Sequence, residues 1–281
     1  MDDGRVSVSD HVEGRVSYIV ADGKRPFAYQ FGPPPGMPLR SHAYAEEAVR
    51  VRNARLHPAL SLDREGFLLV PHETDFTAWD DEAAVKAAYY PQAEALVRRL
   101  AGAARVVAFD HNVRSAPRAG RGDAGIREPV RRVHNDYTAR SGPQRVRDLM
   151  GDEAEALLKN RFAIINVWRP TRGIVYDTPL AVIDASSIAP EDLISTDLRY
   201  PDRTGEIQSV AWNPAHRWYY VPRMRPDEAL LLKCFDSAED GRARFAAHCA
   251  FDDPAAPPGA PPRESIEVRT LVFFPPESAA Y

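Results

Sequence analysis

A histidine and an aspartate stand two positions apart at His134-Asn135-Asp136. In an extended strand, residues i and i+2 project from the same face. The imidazole and the carboxylate can therefore take neighbouring positions on one metal ion. Two histidines and one carboxylate on a single face, with the other positions open, form the ligand set of Fe(II) oxygenases. The chain has eight histidines, so one such pair arises easily by chance, and a third ligand must come from a later strand. His248, in Phe245-Ala246-Ala247-His248-Cys249-Ala250-Phe251, and His216, in Asn213-Pro214-Ala215-His216-Arg217-Trp218, are the candidates. Strand order favours His248, on the last strand but one. His216 reads as a structural histidine at the entrance to a middle strand.

A polar row follows at Arg263, Ser265, Glu267 and Arg269, which share parity and hence a strand face. The alternate residues Ile266, Val268, Val272 and Phe274 are apolar and can pack against helices. The polar row then lines the interior, where isolated charges are costly without a partner. An arginine fork binds a carboxylate bidentately and a nearby serine adds a hydrogen bond, which suits the distal carboxylate of 2-oxoglutarate. One carboxylate needs one fork. Arg263 is favoured, because Arg263-Glu264-Ser265 resembles an RxS co-substrate motif, and Arg269, four residues beyond Ser265, is the alternative. Asn166 and Trp168 share parity with Ile164 and can line a substrate pocket, with core packing an equal reading for Trp168.

The elements that must position these residues are mostly strands. Short runs at Val16 to Val20 and Phe67 to Val70 precede a helix over 80–100, capped by Asp80 or Asp81 and broken or kinked at Pro91. Strands are predicted at Arg105 to Val113, Phe162 to Trp168, Leu180 to Ala185, Arg217 to Val221, Leu230 to Phe235, Phe245 to Phe251 and Ser265 to Phe274, with a second helix over 144–159. Few helices separate the strands, which points to an antiparallel sandwich or barrel. The organisation expected is one domain over 1–281, with 1–104 an extension and helix packing on the barrel and 105–281 the core. Residues 252–262 read as a proline-rich surface loop. Gly120-Arg121-Gly122-Asp123-Ala124-Gly125 fits GxGxxG, but Pro129 denies it a following helix, so a mobile lid over 115–129 is expected instead of a dinucleotide turn.

The net charge of −4 gives no electrostatic reason to expect nucleic acid, and no apolar run is long enough for a membrane helix. The start of the chain lacks a signal-peptide pattern, so a cytoplasmic setting is expected, with Cys234 and Cys249 as free buried thiols. Nothing in the sequence specifies an oligomeric state.

Over nearly its whole length the sequence resembles a hydroxylase/desaturase family that includes a cephamycin-pathway hydroxylase and the fungal gibberellin desaturase. The resemblance runs through Ser17-Tyr18-Ile19, Asp63-Arg64-Glu65-Gly66-Phe67 and Val133-His134-Asn135-Asp136-Tyr137-Thr138. It continues through Asn166-Val167-Trp168-Arg169-Pro170, Pro179-Leu180-Ala181 and His216-Arg217-Trp218-Tyr219-Tyr220. It ends with 227–233, His248-Cys249-Ala250-Phe251-Asp252-Asp253-Pro254 and 263–269. Where the family usually has Pro-His-Thr-Ala-Phe, this chain has Ala247-His248-Cys249-Ala250-Phe251, and the stretch 118–127 is particular to it. The resemblance implies a mainly β fold with flanking helices around a double-stranded β-helix, the jelly-roll or cupin-like core. It implies Fe(II) held by His134, Asp136 and His248, with 2-oxoglutarate and O₂ consumed to hydroxylate, desaturate or cyclise a small molecule of secondary metabolism. The rival readings are a non-catalytic small-molecule-binding barrel and a cupin-like metal-dependent hydrolase or isomerase.

Overall fold

The computed structural model describes residues 9–276. Among the described residues fifteen strands run in chain order: β1 (His11–Ile19), β2 (Phe27–Tyr29), β3 (Tyr44–Asn53), β4 (Phe67–Pro71), β5 (Arg105–Arg114), β6 (Ile126–Arg127), β7 (His134–Asn135), β8 (Phe162–Pro170), β9 (Leu180–Ile183), β10 (Leu193–Arg199), β11 (Thr204–Val210), β12 (Trp218–Tyr220), β13 (Glu228–Asp236), β14 (His248–Ala250) and β15 (Ser265–Phe273). They form two sheets, of order β1-β3-β12-β9-β14-β7-β11-β10-β2 and β4-β13-β8-β15-β5-β6. Strands from the first hundred residues occupy the edges: β1, β3 and β2 in the larger sheet and β4 in the smaller. The two curled sheets form the expected jelly-roll core.

Alternation along the strands sorts the side chains into layers. Leu230, Leu232 and Cys234 of β13 face the space between the sheets with Trp168, Leu180, Val182 and Leu271. Their neighbours Ala229 and Leu231 turn the other way and pack with Ile165, Val167, Ile266 and Val268 against Tyr89, Ala93, Leu96 and Val97 of the long helix. The apolar face of β15 thus packs on the helix as its parity predicts, and Ser265 and Glu267 point inward. The outer face of the larger sheet is covered by Val12, Val16, Tyr18, Trp218 and Phe251.

The long helix is continuous but not uniform. It starts with a turn at Glu82–Ala84, capped by the Asp81 side chain, widens to a π segment at Val85–Tyr89 and resumes as α-helix at Tyr90–Ala101. Pro91 carries no N–H and its ring crowds the preceding turn. Widening the turn, so that the Tyr90 N–H reaches back to the Val85 carbonyl, accommodates that ring without ending the helix.

Several expectations need correction. The second helix begins earlier, at Ser141–Met150, and Gly151 (φ 53°) breaks it before a short turn at Ala154–Leu157. Residues 115–129 are not simply a loop. They form a short helix at Ala116–Gly120 and the strand β6, and Arg118 ties them to Asp80, Asp123 and Glu264. The strands β3, β10 and β11 were not foreseen. Their polar residues, as in Glu46-Glu47 and Ser195-Thr196-Asp197, dilute the apolar signal.

Glu206 on β11 is a buried junction. It accepts from Arg140 at 2.7 Å and 3.1 Å, from Thr138 and from Arg25. It thereby joins β11 to the segment after His134-Asn135-Asp136 and to the N-terminal edge. Burial opposes its ionisation, but the bonds from Arg140, Thr138 and Arg25 prevail and hold its pKa at about 2. A depressed carboxylate pKa contributes stability that is complete above its unfolded value and lost as pH falls towards the folded one. Glu206→Gln should therefore cost on the order of 2–3 kcal/mol at neutral pH. Denaturant titrations of the two proteins should converge as pH drops from about 4.5 towards 2. A gap independent of pH would contradict this account.

Candidate metal centre and substrate cleft

His134 lies on β7, and its partner across the ladder is His248 of β14. The two rings face each other with centroids 4.7 Å apart. Asp136 follows β7 on the same side as His134, with 3.6 Å between His134 Nε2 and Asp136 Oδ1. One donor atom from each of His134, Asp136 and His248 falls within 4.8 Å of the others. Asn135, between them, points the opposite way, and its amide donates to the carbonyls of Tyr137 and Cys234 and to Gln208. That anchor fixes the alternation that the HxD spacing requires.

The imidazole tautomers follow from the backbone. His134 Nδ1 lies 2.8 Å from the Arg132 carbonyl, and His248 Nδ1 lies 2.9 Å from the Ala246 carbonyl. A carbonyl only accepts, so each Nδ1 carries the proton and donates it. Each Nε2 keeps its lone pair for a metal, the arrangement by which outer contacts orient metal-binding histidines. Burial and the nearby His248 push the His134 pKa down to about 3, so its ring is neutral and ligand-competent at physiological pH.

Asp136 remains ionised. Burial works against its charge, but the Arg269 charge and a hydrogen bond from Asn166 outweigh it and hold the carboxyl well below its usual range. Arg269 Nε and Asn166 Nδ2 each donate to Asp136 Oδ2 at 3.0 Å. Arg269 also reaches Asp110 at 3.0 Å, so its fork is already engaged by two carboxylates. Asn166 in turn donates to Glu267 at 2.6 Å.

Arg263 is different. It precedes β15, is buried, and donates Nη1 to the Thr178 carbonyl at 2.7 Å. Its Nε and the Ser265 hydroxyl are buried without a partner among the described residues. Burial, and then the charge of Arg114, depress its pKa, which marks a guanidinium short of counter-charge. Thr178 holds the left-handed conformation (φ 50°) while presenting its carbonyl, a backbone cost the surroundings must sustain. Arg263, Trp168, Leu180, His134 and His248 line a narrow recess of about 20 Å³. Trp168 therefore belongs both to the core and to the recess.

His216 is remote from this cluster in bonding. Its Nδ1 meets the Tyr18 hydroxyl at 2.9 Å and its Nε2 meets Asp192 at 3.1 Å, while Trp218 Nε1 donates to the same tyrosine. It is the structural histidine that its strand-entrance position suggested.

On the open side, His134, Asp136 and Arg269 form part of the wall of a cleft of about 880 Å³. Its arginine-rich lining, including Arg40, Arg114 and Arg132, was not anticipated. One signal was available: Arg132 precedes His134 by two residues and so shares its face. Arg40 and Arg114 come from distant segments, and no local pattern links them to the site.

The fold and this cluster define a β-helix oxygenase of the two-histidine, one-carboxylate class. A family model described as an oxidoreductase/YMDC permease-like domain matches residues 16–273. The chain is 37% identical to the Fe(II)/2-oxoglutarate-dependent dioxygenase nvfI of Aspergillus novofumigatus over 93% of this chain and 96% of that protein. It is 37% identical to the hydroxylase/desaturase efuI of Hormonema carpetanum over 82% and 85% respectively. A solved structure of the iron and alpha-ketoglutarate-dependent endoperoxidase NvfI superposes with a TM-score of 0.87 at 32% identity, covering 94% of this chain and 98% of that one. The chain belongs to this family of Fe(II)/2-oxoglutarate-dependent dioxygenases. Among the described residues no helix is long and apolar enough to cross a membrane.

His216→Ala should leave the donor cluster in place while removing one partner from Tyr18 and one from buried Asp192, which keeps Asn213 and the Ala189 N–H. The expected loss is on the order of 1–3 kcal/mol of stability, read as a lowered Tm with unchanged Fe(II) affinity. Loss of Fe(II) binding at unchanged Tm would move a metal ligand to His216.

Proposed function

We propose that this enzyme oxidises a small molecule of secondary metabolism with Fe(II) held by His134, Asp136 and His248. The observation that carries the assignment is the convergence of two Nε2 lone pairs and one ionised carboxylate between the large cleft, which His134 and Asp136 line, and the narrow recess, which His134 and His248 line. The donor set suits Fe(II): two imidazoles, one oxygen ligand and room on the cleft side for other ligands. When bound, iron and 2-oxoglutarate supply the activation of O₂ that protein side chains lack. The substrate supported is a small molecule, and the buried free thiols Cys234 and Cys249 agree with a cytoplasmic setting.

Arg263 and Ser265 are the proposed anchor of 2-oxoglutarate. A guanidinium with a free Nε and a hydroxyl without a partner, both buried beside the histidines, offer the donors that one carboxylate accepts. The recess suits a single carboxylate group rather than a whole substrate. Arg269 has the other task. Its pairing with Asp136 keeps that carboxylate charged and aimed, so Arg269 and Asn166 act as positioning residues. Trp168 walls the recess and Asn166 lies beside Asp136, so both contribute to the pocket.

Anaerobic addition of Fe(II) and 2-oxoglutarate should give a weak visible charge-transfer band in the parent protein. Asp136→Ala should abolish it and also lower Tm, since Arg269 and Asn166 lose the carboxylate through which they join the two sheets. Retention of full Fe(II) affinity by that variant would refute the ligand assignment. Arg263→Lys keeps the charge but loses the planar fork. It should weaken 2-oxoglutarate binding by roughly ten- to a hundred-fold at near-normal Fe(II) affinity, whereas Arg269→Lys should weaken Fe(II) binding first. The reverse pattern would exchange the two roles.

A further inference from the structure

The charge balance of the large cleft points beyond the iron chemistry. Eight arginines and four carboxylates line it. The four acids are all engaged: Asp136 and Asp110 by Arg269, Glu206 by Arg140 and Arg25, and Asp148 with Arg145 at 3.9 Å. Among the described residues, Arg40, Arg114, Arg127, Arg132 and Arg203 have no carboxylate partner within 4 Å, so the surplus positive charge of the cleft is unneutralised.

Arg132 is the best placed of them. It lies two residues before His134, on the same face, and its carbonyl holds the His134 ring. Its guanidinium sits 5.8 Å from the centre of the Tyr44 ring. Arg40 lines the same cleft. Two like charges kept together in a half-buried wall, without an acid between them, cost free energy until an anion arrives. Tyr44, Tyr137, Leu198 and Ile207 add apolar surface to the same cleft, as a carbon skeleton needs.

We propose that the substrate is an organic acid, whose carboxylate is gripped by Arg132 and Arg40 while its carbon skeleton extends towards His134 and Asp136. The planar forks of the two arginines match a carboxylate bidentately. This site is separate from the one assigned to 2-oxoglutarate, since neither Arg40 nor Arg132 lines the recess of Arg263. Arg114 borders both spaces, and its Nη1 is bound to the Glu128 carbonyl at 2.7 Å. The inference rests on the oxygenase reading for which group reacts, but not for which group binds.

The test is calorimetric, on the full chain loaded anaerobically with Fe(II) and 2-oxoglutarate so that the recess is filled. The probes are octanoate, octanol and octyl phosphate. Octanoate should bind about ten-fold or more tightly than octanol, the difference one charge-assisted pair makes. Its affinity should fall with added salt while that of octanol does not. Arg132→Gln and Arg40→Gln should each erase most of the preference and leave 2-oxoglutarate affinity within about two-fold of the parent value. Equal binding of octanoate and octanol, or binding of neither, overturns the proposal, as does a preference that survives both substitutions. A clear preference for octyl phosphate over octanoate overturns the carboxylate assignment in favour of a phosphate ester. If a variant unfolds, the salt dependence of the parent protein decides alone. Failure of the oxygenase reading would show separately, as absence of Fe(II)-dependent 2-oxoglutarate binding in the loading step.

Discussion

A buried carboxylate that must stay charged governs much of this structure. Asp136 lies inside the barrel, where an unpaired anion would take up a proton. Four strands build its surroundings. Strand β15 supplies Arg269, strand β8 supplies Asn166, and strands β7 and β14 bring the two histidines alongside. Because β7 belongs to the larger sheet and β8 and β15 to the smaller, the bonds at Asp136 join the two sheets through their interior. The cluster is therefore both the proposed ligand set and a tie across the core.

The same constraint explains the division of labour among the arginines. A guanidinium already shared between two carboxylates has little left to offer a ligand, which describes Arg269. Arg263 is held by one carbonyl and keeps a free Nε. Arg40 and Arg132 lack even that and stand at the open side. The positive charge is thus graded from satisfied, beside the proposed iron ligands, to unsatisfied, where small anions would enter. Two kinds of ligand, a co-substrate acid in a narrow recess and a larger acid in the cleft, fit that gradient without competing for one fork. Field focusing in a positively lined cleft also favours the capture of anions.

Much of the site was legible in local sequence, because strand parity is a local property. His134 and Asp136 share a face through one intervening residue. The inward polar row at Ser265 and Glu267 and the outward apolar row at Ile266 and Val268 followed from period-two alternation. Proline 91 announced an irregular helix, though not that the remedy would be a π segment. Where strand residues were polar, as in β3, β10 and β11, alternation was diluted and the strands were missed.

What the sequence by itself determined was the set of residues that can point the same way and the types of chemistry they can do. It could nominate Arg263 and Arg269 but could hardly separate them, since both sit on the inward parity. Tertiary structure separated them, because the distance from a side chain to a carboxylate on another strand is set by register between strands, which no single segment encodes. Pairing β15 with β8 places Arg269 opposite Asn166 and so beside Asp136. Thr178, from a turn far away in sequence, is what meets Arg263. The arginine-lined cleft is the extreme case: Arg40, Arg114 and Arg132 lie in separate segments, and only folding, by long-range packing of the sheets, brings their charges to one wall.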